Sequence, residues 1–272
     1  MPKLTRPDGV EIHWEERGDG PTVLMTSAWS GHPGVFAEMI DDLIRDHRVV
    51  FFDTRGTGGS TRSGPYDIET DTADLEALLE ELGGAVLFLL ADATDRGVRL
   101  LESRPDLAPA AVTYGGPPLS RKSLAGSDAM AASDTVVDAL KEMLERDYRG
   151  ALRSIMHAAN PQMEDAEVRE RVGRQVDYCP QEAAYGRAEA WIEDDPVSYS
   201  QSAGDRLWII VTPETAGSWF PKGDETLRII GELLPEARVV EVEDGALSRP
   251  DLSADVVRQA VRASAEVAAE RK

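Results

Sequence analysis

The stretch that decides the fold is Ala85-Val86-Leu87-Phe88-Leu89-Leu90-Ala91-Asp92-Ala93-Thr94-Asp95. Its first seven residues form the longest apolar run in the chain, which is too short to cross a membrane. Such a run predicts a central parallel strand that is buried on both faces. In an open parallel α/β sheet the functional crevice lies at the carboxyl ends of the strands. The turn after this strand is therefore the predicted functional site.

The segments on either side of this strand alternate between strand and helix patterns. Strand patterns occur at residues 22–26, 47–53, 110–114, 206–211 and 237–243, and helical patterns at 35–45, 69–82, 94–104, 224–234 and from 252 onward. The turn at Asp8-Gly9 predicts an antiparallel hairpin before them. This order predicts an α/β protein with a mostly parallel sheet flanked by helices.

The middle of the chain departs from this alternation. Residues 117–204 show helical patterns and no convincing strand. We interpret this segment as a helical cap over the carboxyl edge of the sheet. The predicted organisation is a core formed by residues 1–116 and 205–272, interrupted by a cap at 117–204.

Composition narrows the classes of partner. The net charge of −21 would repel nucleic acid and anionic membranes, so neither is an expected partner. The single cysteine, Cys179, and four scattered histidines predict no metal site, and no cofactor is expected. The N-terminal residues lack the apolar core of a signal peptide, which predicts a cytoplasmic protein.

A series of short motifs resembles one superfamily. The series is Phe52-Asp53-Thr54-Arg55-Gly56-Thr57-Gly58-Gly59-Ser60, Tyr66-Asp67-Ile68, Asp74-Leu75 and Leu82-Gly83. It is similar to the proline-iminopeptidase-like branch of the α/β-hydrolase superfamily, over residues 8–116 and 205–265. The resemblance implies an α/β-hydrolase fold with a helical cap, and fold alone does not establish an activity.

The catalytic triad that the resemblance implies is missing from the sequence. Family hydrolases present a nucleophile in G-x-S-x-G, and the aligned residues 91–95 place Ala93 at the nucleophile position. No serine lies between Ser63 and Ser103. A second frame would present Asp95 as an aspartate nucleophile, as in dehalogenase-like relatives, but no histidine follows His157 to activate water.

Carboxylates and aromatic side chains are the candidates for chemistry and binding. A carboxylate desolvated at the crevice could move a proton as a general base. The alternative is structural, with Asp95 capping the next helix and Asp92 bound to a backbone amide. The catalytic candidates are Asp92, Asp95, Glu214 and Asp244. The substrate-binding candidates, of which those in the cap could instead form its core, are Trp29, His32, Ala93, Thr94, Tyr114, Met156, Tyr178, Trp191, Trp219 and Ala246.

These features suggest an enzyme of this fold that no longer hydrolyses. We expect it to enclose a small molecule or modified peptide and to promote epimerisation, isomerisation or cyclisation by proton transfer. Because it lacks the nucleophile and the catalytic histidine of the family, the chain is similar to the bottromycin epimerase type of natural-product tailoring enzyme. Two alternatives stay open, namely a non-catalytic protein that binds a small molecule or peptide, and an atypical hydrolase.

Overall fold

The architecture is an eight-stranded sheet in the order β1-β2-β4-β3-β5-β6-β7-β8. The computed structural model describes residues 2–116, 118–119, 138–139, 141–159, 162–212, 224–242 and 250–270. The strands are β1 (Lys3–Thr5), β2 (Glu11–Arg17), β3 (Thr22–Thr26), β4 (Arg48–Phe52), β5 (Val86–Leu90), β6 (Ala111–Tyr114), β7 (Leu207–Val211) and β8 (Arg238–Glu241). The first two form the predicted antiparallel hairpin, and β3 to β8 run parallel to one another.

Strand β5 occupies the centre of the parallel sheet, as the apolar run predicts. It pairs with β3 through Leu24 opposite Leu87, and with β6 through Phe88 opposite Val112. All of these side chains are almost fully buried. Because both faces of β5 are covered, an uninterrupted apolar sequence is compatible with a strand here.

The structure gives bounds for nine helices, and residues 141–146 are helical as well. The nine are α1 (Ala37–Leu43), α2 (Ile68–Leu82), α3 (Ala93–Ser103), α4 (Tyr148–Ala159), α5 (Asp165–Tyr178), α6 (Gln181–Glu193), α7 (Val197–Ala203), α8 (Asp224–Leu233) and α9 (Pro250–Glu270). Most bounds lie within one or two residues of the sequence predictions. None of the helices in the described ranges has the length and apolarity needed to cross a bilayer.

The sheet separates two hydrophobic cores. Leu87 and Leu89 of β5 face a core completed by α2, α3, α7 and α8. Val86 and Phe88 face the opposite core, which α1 and α9 complete. This alternation of side chains on one strand produces a three-layer α/β/α arrangement.

The helices between β6 and β7 do not all belong to one layer. Helices α4, α5 and α6 share a separate hydrophobic cluster that contains Leu152, Val172 and Ala184. Helix α7 instead packs through Val197 and Tyr199 against the core that contains Leu87. Helices α4 to α6 fall within residues 117–204, the segment interpreted as a cap, and we call their cluster the cap cluster.

Candidate functional site

The turn from β5 into α3 has the conformation of a nucleophile elbow. Ala91 alone among the described non-glycine residues has a positive φ, at 51°. Its N–H donates to the Tyr114 carbonyl at 2.8 Å, and α3 begins two residues later. The left-handed conformation costs about 1–3 kcal/mol and is typical of functional sites. The structure thus puts Ala91, rather than the predicted Ala93, at the strained position, and the side chain there is again a methyl group.

A glycine allows α3 to approach β5 closely below this turn. A β carbon added at Gly97 would collide with the Leu89 side chain. Close packing of the helix on the strand is the condition for a sharp turn between them. The backbone of an elbow is therefore present although its usual nucleophile is not.

Asp92, which follows Ala91, is the polar group nearest to the turn. Its side chain is almost fully buried, and Oδ1 accepts a hydrogen bond from the Trp29 N–H at 2.7 Å. Oδ2 lies 3.4 Å from Nη2 of Arg96, one helical turn further on. Burial raises the pKa of the Asp92 carboxyl, and the Arg96 guanidinium opposes that rise. The contact with a backbone amide corresponds to the structural alternative that the sequence left open for Asp92.

Asp71 on α2 connects this carboxylate to the cap. Arg96 Nη1 lies 3.2 Å from Asp71 Oδ2. Arg187 on α6 donates to both oxygens of Asp71, from Nε at 2.6 Å and from Nη2 at 3.1 Å. Although burial alone would raise the pKa of Asp71, Arg187 and Arg96 outweigh it and hold that pKa below its usual value. We call Asp71, Asp92, Arg96 and Arg187 the elbow cluster.

Asp95 has a different environment although it lies on the same helix. It is the third residue of α3 and does not stand at the strained position, which Ala91 occupies. Its carboxyl group is buried and has no hydrogen-bond or ion-pair partner among the residues that the structure describes. Burial, with the nearby Asp194 and Asp92 carboxylates, raises the pKa of Asp95 well above its usual value.

The aromatic candidates lie around the loop that follows β3. The rings of His32 and Tyr178 meet edge to face with centroids 4.8 Å apart. His32 Nδ1 accepts from the Gly34 N–H at 2.9 Å, which leaves the ring proton of the neutral form on Nε2. Trp29 packs against the cap cluster, and the Cys179 thiol lies 3.7 Å from its carbonyl oxygen. Burial raises the Cys179 pKa to about 11, so the group is a thiol at neutral pH.

The remaining candidates have more ordinary roles or lie outside the described residues. Thr94 is buried in the first turn of α3, and its hydroxyl has no hydrogen-bond partner in the described structure. Met156 packs into the cap cluster, and Trp191 is half-buried on α6. The candidates that lie outside the described residues are Glu214, Asp244, Trp219 and Ala246.

Sequence reasoning missed a second group of polar residues beside the site. Asp53, directly after β4, accepts from the Tyr178 hydroxyl at 2.7 Å through Oδ1. Its Oδ2 lies 2.9 Å from Nδ1 of His13 and accepts from the Gly59 N–H at 2.8 Å. Gly58 donates to the Tyr178 carbonyl at 2.9 Å. The glycine-rich turn thus binds the end of α5 to the core, which the turn motif alone could not reveal.

No cluster of three or more potential metal-ligating side chains occurs within the described ranges. A surface cavity of about 280 Å³ lies between α7 and the segment after α8, and no residue of the elbow lines it. We assign the candidate site to the elbow and the loop after β3, because the strained Ala91 and the buried Asp92 lie beside the Trp29 amide there.

The sheet order, the elbow and the two-sided helix layers define an α/β-hydrolase fold. No family model matches the chain. Two curated relatives, both named putative carbamate hydrolase RutD, match over 75 residues, which is 27% of this chain. The one from Pseudomonas savastanoi pv. phaseolicola is 35% identical over 29% of its length, and the one from Stutzerimonas stutzeri 32% over 28%. The match thus spans less than a third of either relative.

Solved structures match over nearly the whole chain. An esterase from Exiguobacterium antarcticum has a TM-score of 0.79 at 18% identity, covering 95% of this chain and 98% of its own. An epoxide hydrolase from Bacillus megaterium has a TM-score of 0.75 at 16% identity, with 96% and 100% covered. The enol-lactonase from Burkholderia xenovorans LB400 has a TM-score of 0.70 at 19% identity, with 96% and 100% covered. At these identities the likeness establishes the fold alone.

These comparisons correct the functional expectation drawn from the sequence. The relatives and solved structures described above are named as hydrolases of carbamates, esters, lactones and epoxides. They point to hydrolysis, so the expectation of non-hydrolytic epimerisation, isomerisation or cyclisation is wrong. That expectation rested on absent residues, and an absent nucleophile excludes one route to hydrolysis rather than hydrolysis itself.

Proposed function

We propose that this chain is an atypical hydrolase of small molecules with an activated carbonyl group, such as an ester, a carbamate or a lactone. In this proposal Asp92 activates the attacking water. The observation that carries the proposal is the buried Asp92 carboxylate directly after the strained Ala91. The fold of the esterase and lactonase neighbours, and the partial match to carbamate hydrolases, support the choice of substrates.

Attack by water, without a covalent intermediate, follows from the residue at the elbow. Ala91 offers a methyl group where a hydroxyl would stand, and no serine or cysteine lies between Ser63 and Ser103. The last histidine of the sequence is His157, well before the position that the family histidine would occupy. A water molecule is small enough to be held against a buried carboxylate and replaces the missing nucleophile.

The proposed reaction has two steps. The Asp92 carboxylate accepts a proton from water while the water oxygen bonds to the carbonyl carbon of the substrate. The tetrahedral intermediate then collapses, the bond to the leaving group breaks, and Asp92 returns the proton to that group. A raised pKa suits this role, because a base works best when its pKa approaches the ambient pH.

The start of α3 can stabilise the negative oxygen of the intermediate. No acceptor for the N–H groups of Asp92 and Ala93 is found in the described part of the chain. These groups lie at the positive end of the α3 helix dipole, beside the elbow. General-base catalysis contributes about 10²–10⁴-fold, so we expect a slow enzyme that needs activated substrates.

The test is hydrolysis of p-nitrophenyl acetate, phenyl carbamate and a γ-lactone in H₂¹⁸O, for the wild type and for Asp92→Asn. We expect ¹⁸O in the acid product, no burst of the leaving group and no acyl-protein by mass spectrometry. Asp92→Asn keeps an acceptor for the Trp29 N–H but removes the base, so the rate should fall about 10²-fold or more.

The matched control is Asp106→Asn, which changes an exposed carboxylate just beyond α3 that pairs with Arg104. Its rate should equal that of the wild type. An acyl-protein, or an Asp92→Asn rate equal to the wild type, would overturn the proposed mechanism. No turnover of any of the three substrate classes would overturn the proposed hydrolase.

One observation favours a second candidate, a non-catalytic protein that binds a small molecule. The Trp29 N–H, which follows β3 at the position of an oxyanion donor, is already bound to Asp92. A binding protein would show ligand-dependent thermal stabilisation with these compounds or their unreactive amide analogues, and no ¹⁸O in the recovered ligand.

A further inference from the structure

Among the described residues, Arg96 is the one guanidinium that contacts both carboxylates of the elbow cluster. It is among the largest fully buried side chains of the protein, at 1% exposed. Its Nη2 lies 3.4 Å from Asp92 Oδ2 and 3.4 Å from the Ser27 carbonyl, and its Nη1 lies 3.2 Å from Asp71. Arg96 therefore joins the helix that bears Asp92 to the loop after β3 that bears Trp29.

The charges of the elbow cluster balance only when Asp92 is ionised. Arg96 and Arg187 carry two positive charges, and Asp71 supplies one negative charge. Arg187 holds both oxygens of Asp71, so Arg96 has only a share of that carboxylate. Since an uncompensated buried charge is costly, the ionised form of Asp92 completes the cluster.

We propose that Arg96 is a positioning residue that keeps Asp92 ionised and directed at the Trp29 N–H. This inference rests on the proposed function, because it assigns to Arg96 the control of the base that activates water. The proposed role of Arg96 does not require contact with the substrate. Its consequence is that Arg96 lowers the pH at which Asp92 becomes a base.

Several elements around Asp92 contribute charged or titratable groups, and the loop after β3 contributes the Trp29 N–H. Helix α2 supplies Asp71 and helix α6 supplies Arg187, while Cys179 lies between α5 and α6. Asp95 lies in the first turn of α3, which Asp92 directly precedes. Burial raises the Asp92 pKa, Arg96 is the foremost group that lowers it, Arg187 also lowers it and Asp71 raises it. Since Cys179 is a thiol at neutral pH, Arg96 is the side chain whose removal should move the titration of Asp92 most.

The experiment compares wild type, Arg96→Gln, Arg96→Lys and Arg55→Lys. Two quantities are measured, the pH dependence of the hydrolysis rate and the ¹³C chemical shift of the Asp92 carboxyl, identified by its loss in Asp92→Asn. Arg96→Gln should move both midpoints upward by about 1–3 pH units, because an opposite charge within about 4–6 Å is lost. Arg96→Lys keeps the positive charge but loses the planar, forked set of guanidinium donors, so both midpoints should rise by less.

Arg55→Lys is the matched control. Arg55 is also buried, at 2% exposed, and holds Asp74 through two hydrogen bonds of 2.7 and 2.9 Å. Its replacement perturbs a buried ion pair of the same kind that does not involve Asp92, so neither midpoint should move. Both Arg96 variants are compared with it in stability, which separates a titration effect from general loss of structure.

The two measurements separate the proposed role of Arg96 from the proposed hydrolase activity. A moved ¹³C midpoint without hydrolysis in the wild type would support the role of Arg96 and overturn the proposed activity. Hydrolysis that depends on Asp92, with midpoints unmoved in Arg96→Gln, would overturn the role of Arg96. Equal movements in Arg55→Lys and Arg96→Gln would also overturn it.

Discussion

Two arginine–carboxylate clusters on opposite faces of the sheet use the same chemistry in different surroundings. The elbow cluster is closed to solvent, with Arg187 and Asp71 each 2% exposed in their side chains. Its counterpart joins α9 to α1 through Arg258, which contacts Asp42 at 2.8 Å and Asp46 at 3.0 Å. There the Arg258 side chain is 15% exposed and that of Asp46 is 47% exposed.

The difference in solvent access decides what each cluster can do. Water competes for every group of the Arg258 cluster, so its ion pairs contribute little to stability and can be exchanged with solvent. In the elbow cluster no group can exchange its partner for water, so each charge depends on the others. This dependence allows a change on the cap helix α6 to reach Asp92 through Asp71, whereas the Arg258 cluster only fastens two helices together.

The largest expected loss of unfolding free energy comes from a substitution that breaks the elbow cluster. Asp71→Asn leaves Arg187 and Arg96 buried without the carboxylate that they share, and such a loss typically costs about 3–5 kcal/mol of unfolding free energy. Urea denaturation followed by circular dichroism measures the change. A loss below about 1 kcal/mol, within the range of exposed pairs, would show that the buried cluster is not a closed unit.

A smaller effect should come from Asp95, which is buried on α3 without a partner in the described structure. Its pKa in the folded protein lies well above the usual 3.8, because burial and the Asp194 carboxylate disfavour its charge. The folded state therefore keeps a proton that the unfolded chain loses. The stability linked to that proton is complete below pH 3.8 and declines as the pH rises toward the folded pKa, by up to about 1.4 kcal/mol per pH unit.

Asp95→Asn removes this decline, because an amide does not ionise. The variant should gain stability relative to wild type as the pH rises, which urea denaturation at a series of pH values measures. The control is Asp106→Asn, whose exposed carboxyl has a pKa lowered by Arg104 and which should add no such gain above about pH 5. Parallel stability curves for wild type and Asp95→Asn would refute the raised pKa.

The smallest loss of unfolding free energy should come from a substitution in the more exposed Arg258 cluster. Asp46→Asn takes one carboxylate from Arg258 while Asp42 stays at 2.8 Å, so we expect a loss of less than about 1 kcal/mol. The same denaturation in about 0.5 M salt should shrink the loss further, because salt screens exposed pairs. A loss as large as that of Asp71→Asn would erase the distinction between the clusters.

Much of the fold follows from local patterns in the sequence. The apolar run at 85–91 became β5, and the alternation around it predicted the order of strands and helices with most ends within two residues. Such patterns succeed because the periods of about 2 and 3.6 residues reflect which side of each element is buried. The packing of α7 was not predictable in this way, since a helical pattern does not reveal which hydrophobic cluster the helix joins.

The candidate site was only partly predictable. The contact between Asp92 and Arg96 was within reach of the sequence, because residues four apart on a helix are neighbours. The partner of Asp71 was not, since Arg187 lies 116 residues further along the chain. The functional expectation failed for another reason, because missing triad residues say which mechanism is closed and not which reaction remains.

The sequence by itself determined the α/β order, the central strand and the absence of a serine or cysteine on the turn that follows it. Only the tertiary structure decided that Ala91 bears the strain, that Asp92 binds the Trp29 amide and that Asp95 has no partner in the described structure. The physical reason is the separation along the chain of the residues that interact. Hydrophobic periodicity is a property of neighbouring residues, whereas the protonation of a buried carboxylate depends on charges that distant segments bring within a few ångströms.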